Sequence, residues 1–381
     1  MTRPGTDDGG PNPDPTLAPV PDAVLGVVIV TFNAADVILD CVESLLAARG
    51  VRLDIVVVDN ASTDATLACL RGWAAGTTAY SAPQDLPFVL HPQPKPVTLF
   101  GPGRHSRPAQ DLVTQNTVTL IESGVNGGFA AGVNIGLAHL ASRPDIDRFW
   151  ILNPDSAVPP ETPLRFATEP GPAKGFSLMG GRVIYYDQPD RIQIDGGVVN
   201  MRTGVTGNIG LGKPHALTGP PAATALGFIT GASMVVSRAF YEQAGPMAED
   251  YFLYYEEVDW ALRRLTLAGG DLPLAYCAQG LVYHRAGTAI GSPAPGRPAS
   301  PFSLYFKHRG RIRFIRRFRP RNLPIAYGYS LAKATQLALK GYRAEAATVL
   351  RASFGLPPPA SVRARLSAAA ARHAFGRSER G

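Results

Sequence analysis

Two aspartates follow directly on runs of apolar residues. Asp59 closes LDIVVV, and Asp155 ends Asn153-Pro154-Asp155 after FWIL. A carboxylate at the carboxyl end of a buried strand can hold Mg2+ or Mn2+, or accept hydrogen bonds from a base or ribose. It can equally cap the next helix. For Asp59 both readings stand. Asp155 is followed by Val158-Pro159-Pro160 rather than by an immediate helix, which favours a ligand. Three more acids, Glu256, Glu257 and Asp259, lie among aromatics in FLYYEEVDW. A helix N-terminus favours acids, while acids beside large apolar groups titrate high and suit proton transfer near neutrality. Arg263 falls four residues after Asp259, so Asp259 reads first as half of an ion pair and second as catalytic. His284, after Leu281–Tyr283, is a candidate metal ligand, base or packed histidine. The loop Asn126-Gly127-Gly128-Phe129 opens a helix, with Asn134 beyond it to cap or to pack. Its spacing is not G-x-G-x-x-G and it lies far from the first strand, which argues against a nicotinamide fingerprint.

The elements that must position these residues follow from periodicity. Val24–Thr31 is a nearly continuous β-branched run, as in a strand buried on both faces. Asn33 is expected to cap a helix carrying Val37, Ile38, Cys41, Leu45 and Leu46 on one stripe, with Gly50 at its end. Leu53–Val58 is a second buried strand, and Ser62 or Thr63 starts a helix through Trp73. This β-α-β-α order predicts an α/β fold with a doubly wound, mostly parallel sheet. From 75 to about 115 the chain is rich in Pro, Gly, Gln and Ser and is read as a surface insertion without secondary structure. Val118–Glu122, Phe149–Leu152 and Phe228–Ser237 read as strands, 180–212 as hairpins. Ala130–Leu140, Ala239–Ala244, Val258–Ala268, Ile325–Lys340 and Arg343–Ala352 read as helices. The expected organisation is a disordered tail over 1–22 and a main domain over 23–300, with 75–117 as the insertion. A basic helical extension over 301–356 and a flexible tail over 357–381 complete it.

Length and composition fit one large domain with extensions: 381 residues, 45% hydrophobic, net charge +7. Much of the positive charge sits in Lys307–Arg321, KHRGRIRFIRRFRPR. No helix-turn-helix or zinc pattern accompanies it, so nucleic acid is not the expected partner. The three cysteines, Cys41, Cys69 and Cys277, are too scattered for a disulfide framework or zinc site and read as core residues. No apolar run approaches the roughly 20 residues that span a bilayer, and the N-terminus lacks a signal-peptide core. The expected location is cytoplasmic, with peripheral contact to an anionic membrane through the basic stretch.

Taken in order, the motifs carry a resemblance. They are Val30-Thr31-Phe32-Asn33, Val58-Asp59-Asn60-Ala61-Ser62-Thr63-Asp64, 126–134 (NGGFAAGVN), Leu152-Asn153-Pro154-Asp155, Thr230-Gly231-Ala232, 255–263 (YEEVDWALR), and His284 with Gly287. Over roughly Val24 to Ser292 the chain resembles family 2 glycosyltransferases of the GT-A fold, nearest the bacterial rhamnosyltransferase-like branch. The resemblance implies a nucleotide pocket formed by Thr31, Asn33, Asp59 and Asn60, with Asp59 at the base. Asn126, Gly128 and Phe129 would lie against the nucleotide-sugar. It also implies Mg2+ or Mn2+ held by Asp155 with His284 as second ligand, Asn153 standing beside the donor where Asp is commoner. The general base falls on Glu257, a Glu in the place of the usual Asp, with Glu256 as the alternative. The implied reaction is an inverting single displacement from a nucleotide-diphosphate sugar, dTDP-rhamnose first. The acceptor would be a hydroxyl of a polysaccharide or lipid-linked glycan. The insertion at 75–115 departs from the family pattern. Another nucleotide-binding α/β enzyme and a non-catalytic glycan-binding protein remain the alternatives.

Overall fold

The first two strands, Val24–Thr31 (β1) and Arg52–Asp59 (β2), are buried along all but their first residue. Alternate side chains enter opposite cores: Val28, Val30, Val56 and Val58 one, Val27, Ile29, Ile55 and Val57 the other. That two-sided burial is why the runs are apolar without a break. The computed structural model describes residues 23–102, 116–285 and 298–376. The tail expected over 1–22 and the motif residue Gly287 lie outside them. Helices Ile38–Leu46 (α1) and Thr66–Ala75 (α2) flank β2 in sequence. The strands Leu99–Phe100 (β3) and Thr117–Glu122 (β4) then extend the sheet beyond it in parallel register. Helix Phe129–Ala141 (α3) leads to Arg148–Leu152 (β5), parallel to β1 on its other side.

The second half of the chain adds Ser156–Ala157 (β6), helix Thr162–Thr168 (α4), and a hairpin of Leu178–Tyr185 (β7) and Gln188–Ile194 (β8). Gly197–Val199 (β9) and Thr206–Asn208 (β10) form a separate two-stranded ribbon. Ser233–Ser237 (β11), helices Arg238–Ala244 (α5) and Glu256–Arg263 (α6), and Ala275–His284 (β12) complete the main body. The ten-stranded sheet runs β3-β4-β2-β1-β5-β11-β7-β12-β6, with β8 on β7. This is the expected α/β class, a mixed and mostly parallel sheet covered on both faces. β11 runs antiparallel between β5 and β7. The order reverses where β1 meets β5, which opens a crevice at the carboxyl ends of those strands. Only the last part of the strand expected over 228–237 forms. Phe228 makes just a bridge to Gly197.

The C-terminal part corrects two expectations. Pro301–Phe318 (α7), Leu323–Leu339 (α8) and Arg343–Ser353 (α9) are helices, but α7 is no free basic face. Phe302, Leu304, Phe306, Ile312, Phe314 and Ile315 bury it in the body of the protein. Several of its arginines are engaged: Arg311 on the Ala326 carbonyl, Arg313 on Asp250 and Arg309 on the Ala374 carbonyl turn inward, and half-exposed Arg317 pairs with buried Asp259. Second, the tail expected from 357 carries helices Ala360–Arg363 (α10) and Ala368–Phe375 (α11). Phe375 stacks on Phe306 with ring centroids 5.8 Å apart, an aromatic contact that holds this segment to the body. Among the described residues no helix is long and apolar enough to cross a membrane.

The insertion, expected to carry no secondary structure, supplies β3 and is pinned to the body. Glu43 of α1, fully buried, takes Lys95 Nζ at 2.6 Å, the Gln93 amide at 2.8 Å and Trp73 Nε1 at 2.7 Å. Tyr80 donates to Asp40, and Leu86 and Phe88 pack on Tyr186 and Tyr283. Those contacts span dozens of residues in sequence, beyond the reach of any local pattern.

Candidate active site

Thr31 and Asp59 end β1 and β2 in direct register. Both are buried, at 0% and 1% exposure. The Asp59 Oδ2 accepts from the Ser62 amide at 3.0 Å, but its Oδ1 and the Thr31 hydroxyl have no partner among the described residues. Buried polar atoms left unpaired cost stability, so two of them at adjacent strand ends mark a place built to receive hydrogen bonds from something else.

Asn33 and Asn60 do other work than lining. Asn33, at φ 52°, does not cap α1, whose cap residue Val37 offers no side-chain bond. Its Oδ1 instead accepts from the Thr63 amide at 2.7 Å, tying β1 to the turn before α2. Asn60 donates to the Gly128 carbonyl at 2.9 Å and to Asn126 Oδ1 at 3.2 Å. It thereby fixes the glycine loop against the strand ends. Gly128 sits at φ 93°, and a Cβ there would lie 2.3 Å from the Phe252 carbonyl, so no side chain fits. The next amide, Phe129 N–H, donates to that same carbonyl at 3.0 Å. Asn134 packs instead of capping, bonded to Met247 and Glu249.

That contact leads straight into the acidic motif. Phe252, Tyr254 and Tyr255 all adopt positive φ, at 67°, 65° and 76°. Each such residue stores of the order of 1–3 kcal/mol, which the surroundings must hold. They do so through the Tyr255 hydroxyl on the Gly204 carbonyl, 2.7 Å, and the Tyr254 hydroxyl on Ser303, 3.2 Å. Phe252 stacks on Phe306 at 5.0 Å. The twisted segment delivers Glu256 and Glu257 as the first two residues of α6. Glu256 is 2% exposed with an unpartnered Oε2. Burial, and then the charge of Glu257, raise its pKa well above the ordinary value. Glu257 is only half-buried, and desolvation pushes it up to about 6, with the Lys307 ammonium pulling the other way. Asp259 is fully buried and saturated: Tyr251 Oη at 2.9 Å, Arg263 Nε at 2.8 Å, Arg317 Nη1 at 3.0 Å. It ties α6 to α7. The Arg263 pairing was legible in sequence. Arg317 was not.

A second centre forms where β5 and β12 end. Asp155 Oδ1 lies 3.1 Å from His284 Nε2, and Asn153 Nδ2 is 3.1 Å from the same nitrogen. On the far side of the ring, His284 Nδ1 is 2.7 Å from Gln193 Oε1. A proton on Nδ1 satisfies that contact, and Nε2 is then an acceptor that faces both the Asn153 side-chain amide and the Asp155 carboxylate. Two electron-rich atoms meeting this way suit a cation between them. An imidazole and a carboxylate are an acceptable partial donor set for Mn2+ or Mg2+, completed by phosphate oxygens and water. No group of three or more His, Cys, Asp or Glu side chains gathers among the described residues. Gln193 carries no sequence signal; only the fold places it behind His284. Asn153 also donates its amide to the Ala232 carbonyl, 3.0 Å, and the neighbouring Gly231 lies against the Phe129 ring. One rim therefore runs from His284 through 230–232 and Phe129 to the acids of α6.

The chain is similar to four known proteins or families. Residues 26–91 match the family model Glycosyl transferase family 2. The matched segment holds Thr31, Asn33, Asp59 and Asn60. Low-salt glycan biosynthesis hexosyltransferase Agl10 of Haloferax volcanii is 26% identical over 159 residues, 39% of this chain and 47% of that protein. Succinoglycan biosynthesis protein ExoO of Rhizobium meliloti is 46% identical over 52 residues, 14% of each. The chain thus spans less than half the length of either relative. Among solved structures, the mannosyltransferase PcManGT of Pyrobaculum calidifontis, in complex with GDP-Man and Mn2+, superposes at TM-score 0.45 and 16% identity. That superposition covers 92% of this chain and 81% of the other. It is a loose likeness, and the fold description stands on this chain's own strand order.

Proposed function

We propose that this chain is a family 2 glycosyltransferase that moves a sugar from a nucleotide diphosphate onto an acceptor hydroxyl with inversion, dTDP-rhamnose being the first donor to test. The observation that carries the reading is the single rim joining three features: the unpaired Thr31 and Asp59 atoms, the Asp155–His284 pair, and Glu257. The unpaired atoms would take the nucleotide's hydrogen bonds. Asp155 and His284 would hold Mg2+ or Mn2+, whose charge stabilises the departing diphosphate. Glu257, half-buried and titrating near 6, would accept the proton of the attacking hydroxyl. Glu256, Asn33, Asn60, Asn126, Gly128 and Asn153 hold the rim in shape, and Phe129 walls it.

The acceptor is proposed to be a glycan, polysaccharide or lipid-borne, met at an anionic membrane surface. The outer side of α8 supports that placement. Ile325, Gly328, Leu331, Ala332, Thr335 and Leu339 are exposed together without a charge among them. Exposed Arg316, Arg319 and Arg321 stand before that side, and Lys340 and Arg343 after it. An apolar helix side with basic flanks is the pattern of an interfacial helix.

Asp155→Ala tests the core of the proposal. Mn2+-dependent nucleotide-sugar hydrolysis and transfer should fall to background, with an unchanged circular dichroism spectrum. A variant retaining metal-dependent turnover would remove Asp155 from the site. Nucleotide-sugar binding by the wild type without any turnover would favour the non-catalytic reading instead.

A further inference from the structure

One cavity of the described structure lies away from the rim. It measures about 760 Å3 and opens between α7, α8 and the β9–β10 ribbon, a volume in the range of small-molecule sites. Its walls include Lys307, Arg311, Lys333 and Lys340, and no carboxylate lines it. Leu304 and Leu337 give it apolar sides. Such a concentration of like charge is unfavourable unless an anion compensates it.

Part of the positive charge is engaged, Lys307 acting on Glu257, while Arg311 and Lys333 meet no acid among the described residues. Lys333 reaches only the neutral Gln336 at 2.9 Å, and Arg311, though 3% exposed, bonds carbonyls and a serine rather than an acid. Arg311 Nε and His308 Nδ1 are buried without partners among the described residues. Burial first, then the charges of Arg311, Lys307 and Lys333, hold the His308 imidazole down to about 3.

Position gives the cavity its meaning. Tyr255 lines it and is the residue before Glu256, and Lys307 lies in its wall while acting on Glu257. We propose that this cavity binds a phosphate or diphosphate group carried by the acceptor, placing the acceptor hydroxyl at Glu257. The assignment to the acceptor rests on the glycosyltransferase reading. The anion site itself does not.

The test uses the full chain in EDTA, so that no divalent metal can hold a diphosphate at Asp155. Isothermal titration calorimetry with inorganic pyrophosphate and with geranyl diphosphate reads the site. The wild type should bind pyrophosphate, and the Lys333→Ala/Lys340→Ala double variant should bind about tenfold more weakly, a loss of about 1.4 kcal/mol. Tighter binding of geranyl diphosphate than of pyrophosphate assigns the phosphate to a lipid-borne acceptor. Equal binding assigns it to the glycan. Absence of diphosphate binding in EDTA, or equal affinity in the double variant, overturns the site. Mn2+-dependent nucleotide-sugar hydrolysis, measured in parallel, reports on the glycosyltransferase reading alone. If hydrolysis fails while pyrophosphate behaves as expected, the transferase is lost and the anion site stands.

Discussion

Glu256 and Glu257 are neighbours in sequence with different prospects. Glu256 is sealed in, its carboxyl raised by burial and by Glu257, whereas Glu257 keeps access to the surface. Glu257→Gln should therefore lower turnover by roughly 10²–10⁴ while donor binding survives. Glu256→Gln should cost less turnover and change stability instead. Both folded-state values lie above the ordinary 4.5, so the folded chain retains protons that the unfolded chain has already released. Stability is then fully present below about 4.5 and is lost as pH rises through the folded values, past about 6. Replacing the buried acid by its amide should flatten that decline and raise stability at pH 8 by about 1–3 kcal/mol. Urea titrations between pH 5 and 8 decide it: a wild-type slope in Glu256→Gln would show that this residue does not hold the raised proton. The sequence could suggest the pair, because acids among aromatics are unusual, but not which member is sealed. That depends on the left-handed turns at Tyr254 and Tyr255, which tyrosine does not favour locally.

Among the elements, β1, β2, β5 and α3 were legible because two-sided burial writes itself as an unbroken apolar run and the glycine loop announces a helix. Helix α7 was not legible as a core helix. Its arginines read as solvent-facing until the fold supplies Asp250, Asp259 and the carbonyls of Ala326 and Ala374 from distant segments. Gly310 shows how closely it packs: a Cβ there would fall 2.9 Å from the Tyr254 carbonyl and 3.0 Å from the Tyr255 ring. Asp259 is the electrostatic half of the same contact, and its two arginines come from α6 and α7. Asp259→Asn should destabilise the chain by up to about 3–5 kcal/mol, since it leaves the mostly buried Arg263 facing a neutral group, while half-exposed Arg317 can turn to water. Arg317→Met should cost less, because Arg317 is half-exposed and Arg263 stays paired. Denaturant midpoints of the two variants give the comparison. Equal and small losses would mean that α6 and α7 are joined by packing alone.

At the scale of the whole molecule, the rim and the proposed membrane-facing side use different parts of the chain. The strand ends would supply the nucleotide and metal contacts, while α7 and α8 carry a cation-lined cavity and an exposed uncharged side. Within the Lys307–Arg321 stretch expected to touch lipid, Arg309, Arg311 and Arg313 are turned inward and Arg317 pairs with Asp259. An attraction to anionic lipid would therefore rest on exposed Arg316, Arg319, Arg321, Lys340 and Arg343. At about 1 kcal/mol per basic residue near an anionic surface, these five give only reversible binding on their own. The apolar side of α8 would add to it, with Leu331 50% and Leu339 83% exposed. Sedimentation with phosphatidylserine-containing vesicles should show binding at low salt that weakens as the Debye length shrinks below about 10 Å. Leu331→Asp/Leu339→Asp should abolish most of that binding, because each change places a charge where the helix would enter the lipid. Both positions are exposed, so folding should be untouched, and donor hydrolysis by the double variant serves as the check. Equal binding to neutral vesicles, or full binding by the double variant, would mean that α8 does not face a membrane and that its bare side covers something else.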